Sequence, residues 1–355
     1  METNQQKVIS TFSPRKVFIA ISIGLVFTGY LFYQSITDPK NGGLEGMIHA
    51  LSNPNWGWFF ASIFVLLLRD SIYMYRIYNL TQKELSIKGS VYTILLWEFA
   101  SAVTPSVVGG TAVAVFILAK EGIKLGKALA YVMLTAILDN SFFLLVAPIA
   151  LLTTKSDIFA VLGQRSFLGL PLRVEVIFYS SYFLIAIYTF IMAYGLLINP
   201  RGFKWILLKL TSVSFLRRWR GAAYEQTQEM FLASGQLNNN GYGYWVKAIT
   251  STFLIWSARY LMLNCLITAF GTGVEFSNQF DIFAKQVILW IVQLLSPTPG
   301  GAGLAETFFD LFFRGSGYGP DSLWVPLAFL WRVFTYYTYL IAGVIVFPKW
   351  LKKVS

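Results

Sequence analysis

Arg69, Asp70, Glu98, Asp139, Arg259, Glu306 and Arg332 stand in or beside long apolar runs of a 355-residue chain. An ionisable group at membrane depth costs about 2.5–3.5 kcal/mol on insertion scales, so such groups face a protein interior or a watery cavity and pair. The chemistry open to this set is charge neutralisation. Arg69, Arg259 and Arg332 are suited to the phosphate of an anionic headgroup, because a guanidinium offers forked donors. Glu98, Asp139 and Glu306 can tune that site, take up a proton or meet a cationic headgroup. Covalent chemistry has little to work with. Cys265 is the single cysteine and His49 the single histidine, which excludes an intrachain disulfide, Cys- or His-based metal sites and Ser-His-Asp triads. No GxxxxGK[ST] phosphate loop is present. The expectation is therefore a non-enzyme without cofactors that works passively or by ion coupling. An intramembrane lipid-headgroup transferase would have to use carboxylates alone.

Two glycine pairs stand beside these charges. In LSPTPGGAGLAETFF (295–309), Pro297 and Pro299 end a helix, since proline lacks an N–H and clashes with the preceding turn. Gly300, Gly301 and Gly303 then permit unusual dihedrals and close approach. A helix restarted there points unsatisfied N–H groups and a positive dipole end at whatever occupies the break, which suits a phosphate. TPSVVGGTAVAVFIL (104–118) aligns beneath it, with Gly109-Gly110 on Gly300-Gly301. The flanking charges keep step. Arg69 precedes Gly110 by 41 residues and Arg259 precedes Gly301 by 42; Asp139 follows Gly110 by 29 and Arg332 follows Gly301 by 31. Within the first unit, Arg69, Tyr73 and Arg76 share one helix face. Asp310 and Arg314 read as a simple i, i+4 ion pair.

The elements that must position these residues are membrane spans. The chain is 56% hydrophobic and only 13% charged, beyond the soluble norm of about 45–50% apolar. Apolar spans fall at about 16–35, 56–78, 89–106, 127–152, 176–198, 246–270, 282–296 and 322–347. Two short pieces, 111–119 and 302–313, each follow a Pro/Gly break. The second is roughly 18 Å long as a helix, too short for a core of about 30 Å, and both read as re-entrant half-helices. Residues 15–35 lack an A-x-A cleavage site and form a retained first helix.

Lys and Arg set the orientation. With both termini cytoplasmic and each broken hairpin returning to its own side, 19 basic residues fall inside: Lys7, Arg15, Lys16, Arg76, Lys83, Lys88, Lys120, Lys124, Lys127, Arg201, Lys204, Lys209, Arg217, Arg218, Arg220, Lys247, Lys349, Lys352 and Lys353. Six remain outside: Lys40, Lys155, Arg165, Arg173, Lys285 and Arg314. The net charge of +11 then belongs to cytoplasmic loops facing anionic headgroups and not to nucleic-acid binding. Residues 200–240 mix Trp and Leu with Lys and Arg, as amphipathic helices on an anionic inner leaflet do.

SPTPGGAGLAE followed by FLWRVFTYYTYLIAG resembles the signature of the lysylphosphatidylglycerol synthase transmembrane-region family, which includes the flippase half of the multiple-peptide-resistance factors. The resemblance covers nearly the whole chain. Arg332 fits the arginine of the family's last span, and residues 98–140 match its first-half pattern, with Thr111 where an acid often follows the glycine. The resemblance implies translocation of aminoacylated phosphatidylglycerol outward, and an end at Ser355 leaves no room for the soluble aminoacyl-transferase domain.

The sequence expectation is an all-α polytopic protein of a bacterial inner membrane. It has about eight spans in one transmembrane domain: repeat one at 56–152, a cytoplasmic segment at 200–240 and repeat two, inverted, at 246–347. The expected function is flipping of a phospholipid or lipid-linked anion near the midplane between the repeats. A transporter of a small polar anion and a non-transporting scaffold are the competing readings. A lateral opening to the bilayer separates the first from the lipid path, and a dry packed centre would mark the second.

Overall fold

The computed structural model describes residues 14–38, 42–104, 106–154, 159, 166–167, 170–171, 174–213, 216–217, 220–294 and 298–354. Pro297, Lys7, Lys40, Lys155, Arg165, Arg173 and Arg218 lie outside the described residues. The elements in order are α1 (Pro14–Thr37), α2 (Gly43–Leu51), α3 (Trp56–Leu80), α4 (Ile87–Val103), α5 (Ser106–Lys120), α6 (Leu125–Thr153), β1 (Ser166–Phe167), β2 (Leu170–Pro171), α7 (Val174–Ala193), α8 (Pro200–Leu210), α9 (Arg220–Asn238), α10 (Tyr242–Phe270), α11 (Gln279–Gln293), α12 (Leu304–Phe313), α13 (Trp324–Arg332) and α14 (Thr338–Val354). β1 and β2 pair over two residues, so the fold is all-α in substance.

Among the described residues, five helical stretches are long and apolar enough to cross a bilayer: Trp56–Leu80, Leu125–Thr153, Val174–Ile198, Tyr242–Phe270 and Asp321–Val354. The expected spans at 89–106 and 282–296 are helices of 17 and 15 residues. Large apolar side chains such as Phe64, Leu67, Phe183 and Phe190 stay exposed on α3 and α7. A face of that kind belongs against lipid.

Local chemistry starts the helices. Asn55 caps α3 by accepting from the N–H groups of Gly57 and Trp58, and Ser86 caps α4 through the Gly89 N–H. Pro200 sits in the first turn of α8, behind an Asn199 cap on the Gly202 N–H.

α3 and α10 form the longest seam, and they run antiparallel. The Asn55 N–H donates to the Ala269 carbonyl, Arg76 donates to the Thr252 hydroxyl, and the Tyr244 hydroxyl donates to the Leu80 carbonyl. Around that seam the packing is reciprocal. α4 packs on α14 while α11 packs on α6; α4 also packs on α5, and α11 on α12. Gly343 of α14 lies so close to α4 that a Cβ there would strike the Phe99 side chain. Phe143 of α6 stacks on Trp290 of α11 with ring centroids 3.7 Å apart.

The segment 200–240 holds the two helices α8 and α9. α8 keeps Trp205, Ile206 and Leu210 exposed, as a helix at a membrane surface would. α9 instead buries Ala233 and Leu237 in a core shared with α6, and Ser234 donates to the Leu196 carbonyl. Tyr224 and Leu232 of the same helix stay exposed.

Candidate functional site

The helix stops at Gln293 and restarts at Leu304. Between them Gly300, Gly301 and Gly303 take φ values of +56°, +70° and +85°, a region other residues enter only under strain. Gly300 is also forced to be small: a Cβ there would strike Tyr336 and come within 3.2 Å of the Ala102 carbonyl oxygen. Ala102 lies at the end of α4, one step before the first break. Ala302, Ala102, Val103 and Val113 share one core cluster with Tyr336, so the two breaks meet inside the protein.

The first break has a different form from the one expected. α5 begins at Ser106, so Gly109 and Gly110 lie within its first turns and not ahead of it. Glycine costs a helix interior only about 1 kcal/mol. Gly110 has a packing reason to be there, since a Cβ would collide with Ser101 Oγ and lie 3.2 Å from Ser101 Cα.

Glu306 and Arg332 close the second break. The Gly303 N–H donates to Glu306 Oε2 at 2.7 Å, which satisfies an orphan donor at the start of α12. Arg332 Nε donates to Glu306 Oε1 at 3.0 Å, and Arg332 Nη2 donates to the Gly300 carbonyl at 2.9 Å. The Arg332 guanidinium also lies 4.1 Å from the Tyr336 ring centroid. Tyr336 belongs to a π-helical turn, Val333–Tyr337, between α13 and α14; such bulges recur at functional sites.

A second charge cluster is strung along α3. Arg69, 2% exposed, pairs with Glu98 and with Asp70, whose carboxylate accepts from the Tyr339 hydroxyl at 2.7 and 2.8 Å. Two turns on, Arg76 is 1% exposed and pairs with Asp139, which also accepts from Trp256 Nε1 at 2.9 Å. The Tyr73 ring lies between the two guanidinium groups, 5.6 and 4.7 Å from their Cζ atoms. Arg259 comes to the same cluster from α10. Its Nη1 is 3.7 Å from Glu98 Oε1, and 29% of its side chain is exposed.

The structure therefore brings Arg69, Glu98 and Arg259 together, joins Glu306, Arg332 and Gly300 at the break, and gives Asp139 to Arg76. Arg76, one of the bases that the charge pattern assigns to the cytoplasmic side, is buried against Asp139, and its position on the Arg69 face is the sequence signal for that burial. Tyr339 and Trp256 are further participants that spacing alone did not single out. Asp310 and Arg314 form the expected pair at 2.9 Å. An apolar cavity of about 550 Å³ lies away from these charges, lined by Phe32, Met47, Phe59, Phe270 and Leu330 among others.

With this geometry in place, the family can be read from sequence comparison. The sequence model of the lysylphosphatidylglycerol synthase TM region matches residues 17–343. The chain belongs to this family. The matched stretch takes in both breaks and every charged residue of the two clusters. The family is a flippase-type transmembrane region, and membership makes the chain a multi-pass membrane protein. Among the described residues, no group of three or more His, Cys, Asp or Glu is placed to hold a metal. A "UPF0104 membrane protein" of Archaeoglobus fulgidus is 26% identical over 254 residues, which is 70% of this chain and 71% of the relative. A "UPF0104 membrane protein" of Methanothermobacter thermautotrophicus is 26% identical over 139 residues, covering 39% of this chain and 38% of the relative.

Proposed function

We propose that this family member carries a phospholipid, or another lipid-linked anion, between the leaflets of its membrane, and that Arg259 meets the headgroup phosphate. The observation that carries the reading is the inequality among the deep arginines. Arg69, Arg76 and Arg332 are buried and spent on close carboxylates. Arg259 is partly exposed and holds its carboxylate only at 3.7 Å. It has donors to offer an anion, and Glu98 gives it a partner to return to when the anion leaves. Glu98 and Asp139 keep the surrounding charge balanced, while Arg332, Glu306 and the glycines hold the break in shape.

An inverted-repeat architecture with re-entrant hairpins is part of this proposal. Its support is the antiparallel α3–α10 seam and the reciprocal packing of α4 on α14 and α11 on α6. Equivalent helices of inverted units are expected to cross in that way. A cytoplasmic location for both termini, in a bacterial inner membrane, is supported by the clustering of Lys83, Lys127, Lys247 and Lys353 at one end of the bundle, where Glu84 pairs with Lys127 and Glu121 with Lys353.

The test is lipid exchange in reconstituted vesicles, using a fluorescent anionic phospholipid and a quencher confined to one side. Arg259→Gln should leave the protein folded and slow exchange about tenfold or more, as loss of a charge-assisted hydrogen bond predicts. Arg259→Lys should restore part of the rate, since lysine keeps the charge and loses the fork. Unchanged exchange per folded molecule in Arg259→Gln would overturn the headgroup role. Uptake of a water-soluble anion without lipid exchange would replace the lipid reading with that of a small-anion transporter.

A further inference from the structure

The α3–α10 seam ends in a second, polar pocket of about 200 Å³, lined by Asn79, Gln82, Lys83, Tyr244 and Lys247. It lies at the opposite end of the seam from the apolar cavity, where the Tyr244 hydroxyl donates to the Leu80 carbonyl.

Its backbone is unusual. Gln82 and Lys83, with φ of +52° and +65°, are the non-glycine residues of positive φ among the described residues. They form the turn that ends α3: the Gln82 N–H donates to the Asn79 carbonyl and the Lys83 N–H to the Tyr78 carbonyl. Glycine is the usual residue at such a helix stop because it has no Cβ to strain. This turn carries two long polar side chains instead, and both face the pocket. Strain of this kind is tolerated where the side chain serves a site.

Its charge is uncompensated. Lys83 and Lys247 enter no ion pair among the described residues, while the acids of the same end are engaged: Glu84 with Lys127, and Glu121 with Lys353 and Trp350. No carboxylate lines the pocket. Two free ammonium groups, the Gln82 amide and the Asn79 amide, itself anchored on the Tyr75 carbonyl, make a donor-rich recess beside a membrane-spanning seam.

We infer that this pocket binds a phosphate group, either the phosphodiester of an anionic lipid headgroup or free phosphate. It is separate from the central cluster and does not depend on transport by Arg259. Lysine suits it as a mobile point charge at a wet surface, where a buried fork would suit arginine.

The test uses the purified full chain in an uncharged detergent and carries Arg259→Gln throughout, so that the central arginine adds no binding. Dihexanoyl phosphatidylglycerol and inorganic phosphate are titrated separately and in competition. At least one should bind saturably, and the added pair Lys83→Gln/Lys247→Gln should weaken that binding about tenfold or more. The pair Lys83→Arg/Lys247→Arg, which keeps both charges, should retain most of it. Both lysines are exposed, so thermal midpoints should not move. Lipid binding that inorganic phosphate fails to displace assigns the pocket to a lipid headgroup; displacement at equal occupancy assigns it to free phosphate. Absence of saturable binding by either ligand, or binding unaffected by the double glutamine change, overturns the inference. Neither result bears on whether Arg259→Gln transports lipid.

Discussion

Arg332 reaches across 26 residues to Glu306 and holds it at 3.0 Å while the same guanidinium takes the Gly300 carbonyl. One cation thus pins both sides of a helix break, and one carboxylate ties that cation to the Gly303 N–H. The pair works as a clamp on irregular backbone, which at membrane depth survives only where protein or water satisfies it.

Removing one member of the clamp leaves the other buried and uncompensated. Arg332→Met or Glu306→Met alone should each destabilise the protein by about 3–5 kcal/mol, read as a lowered thermal midpoint in detergent. The double change should recover a large part of that loss, because two apolar side chains replace a desolvated pair. A double variant as unstable as the sum of the singles would show that the Gly300 and Gly303 contacts, and not the ion pair, hold the break.

Arg76 and Asp139 predict the same pattern at a second place. Both are held by several partners, Thr252 and Trp256 included. Arg76→Met should cost about 3–5 kcal/mol, and Asp139→Asn less than that, since the amide oxygen can still accept from Trp256. A double-mutant cycle on the two should return a coupling above about 0.5 kcal/mol.

Gly110 is held small by Ser101. Gly110→Ala should destabilise by about 1–3 kcal/mol through overpacking. Adding Ser101→Ala removes the colliding hydroxyl and should recover most of the loss in the thermal midpoint. Full stability of Gly110→Ala by itself would mean that α4 and α5 separate at little cost.

Orientation can be read from two exposed aromatic positions at opposite ends of the bundle, Tyr242 at the start of α10 and Phe276 beyond its end. With Cys265 replaced by serine, an introduced cysteine at 276 should react with an impermeant thiol reagent on intact cells, and one at 242 only after the membrane is opened. The reverse pattern would invert the topology proposed from the positive charges.

The sequence by itself determined where the long apolar helices run, where the break before Leu304 falls and which charges are out of place. These are local matters: an apolar run of span length, a Pro/Gly stop and an arginine among leucines each announce themselves within a few residues. The three left-handed glycines at 300, 301 and 303 and the i, i+4 pair of Asp310 with Arg314 were legible for the same reason. What only the tertiary structure decided was which charge meets which. Arg69 finds Glu98 29 residues away, Asp70 finds Tyr339 269 away, and Arg76 finds Asp139 63 away and Thr252 176 away. No spacing rule reaches that far, because the pairing follows from the antiparallel seam of α3 and α10 and the packing built around it. The same seam turned Arg76 from a surface base into a buried one, left Arg259 partly open beside Glu98, and made Gly110 a contact where the sequence had read a break. A charge in a low-dielectric interior is costly wherever it sits, so sequence can find it; its partner is whichever group the fold carries within reach.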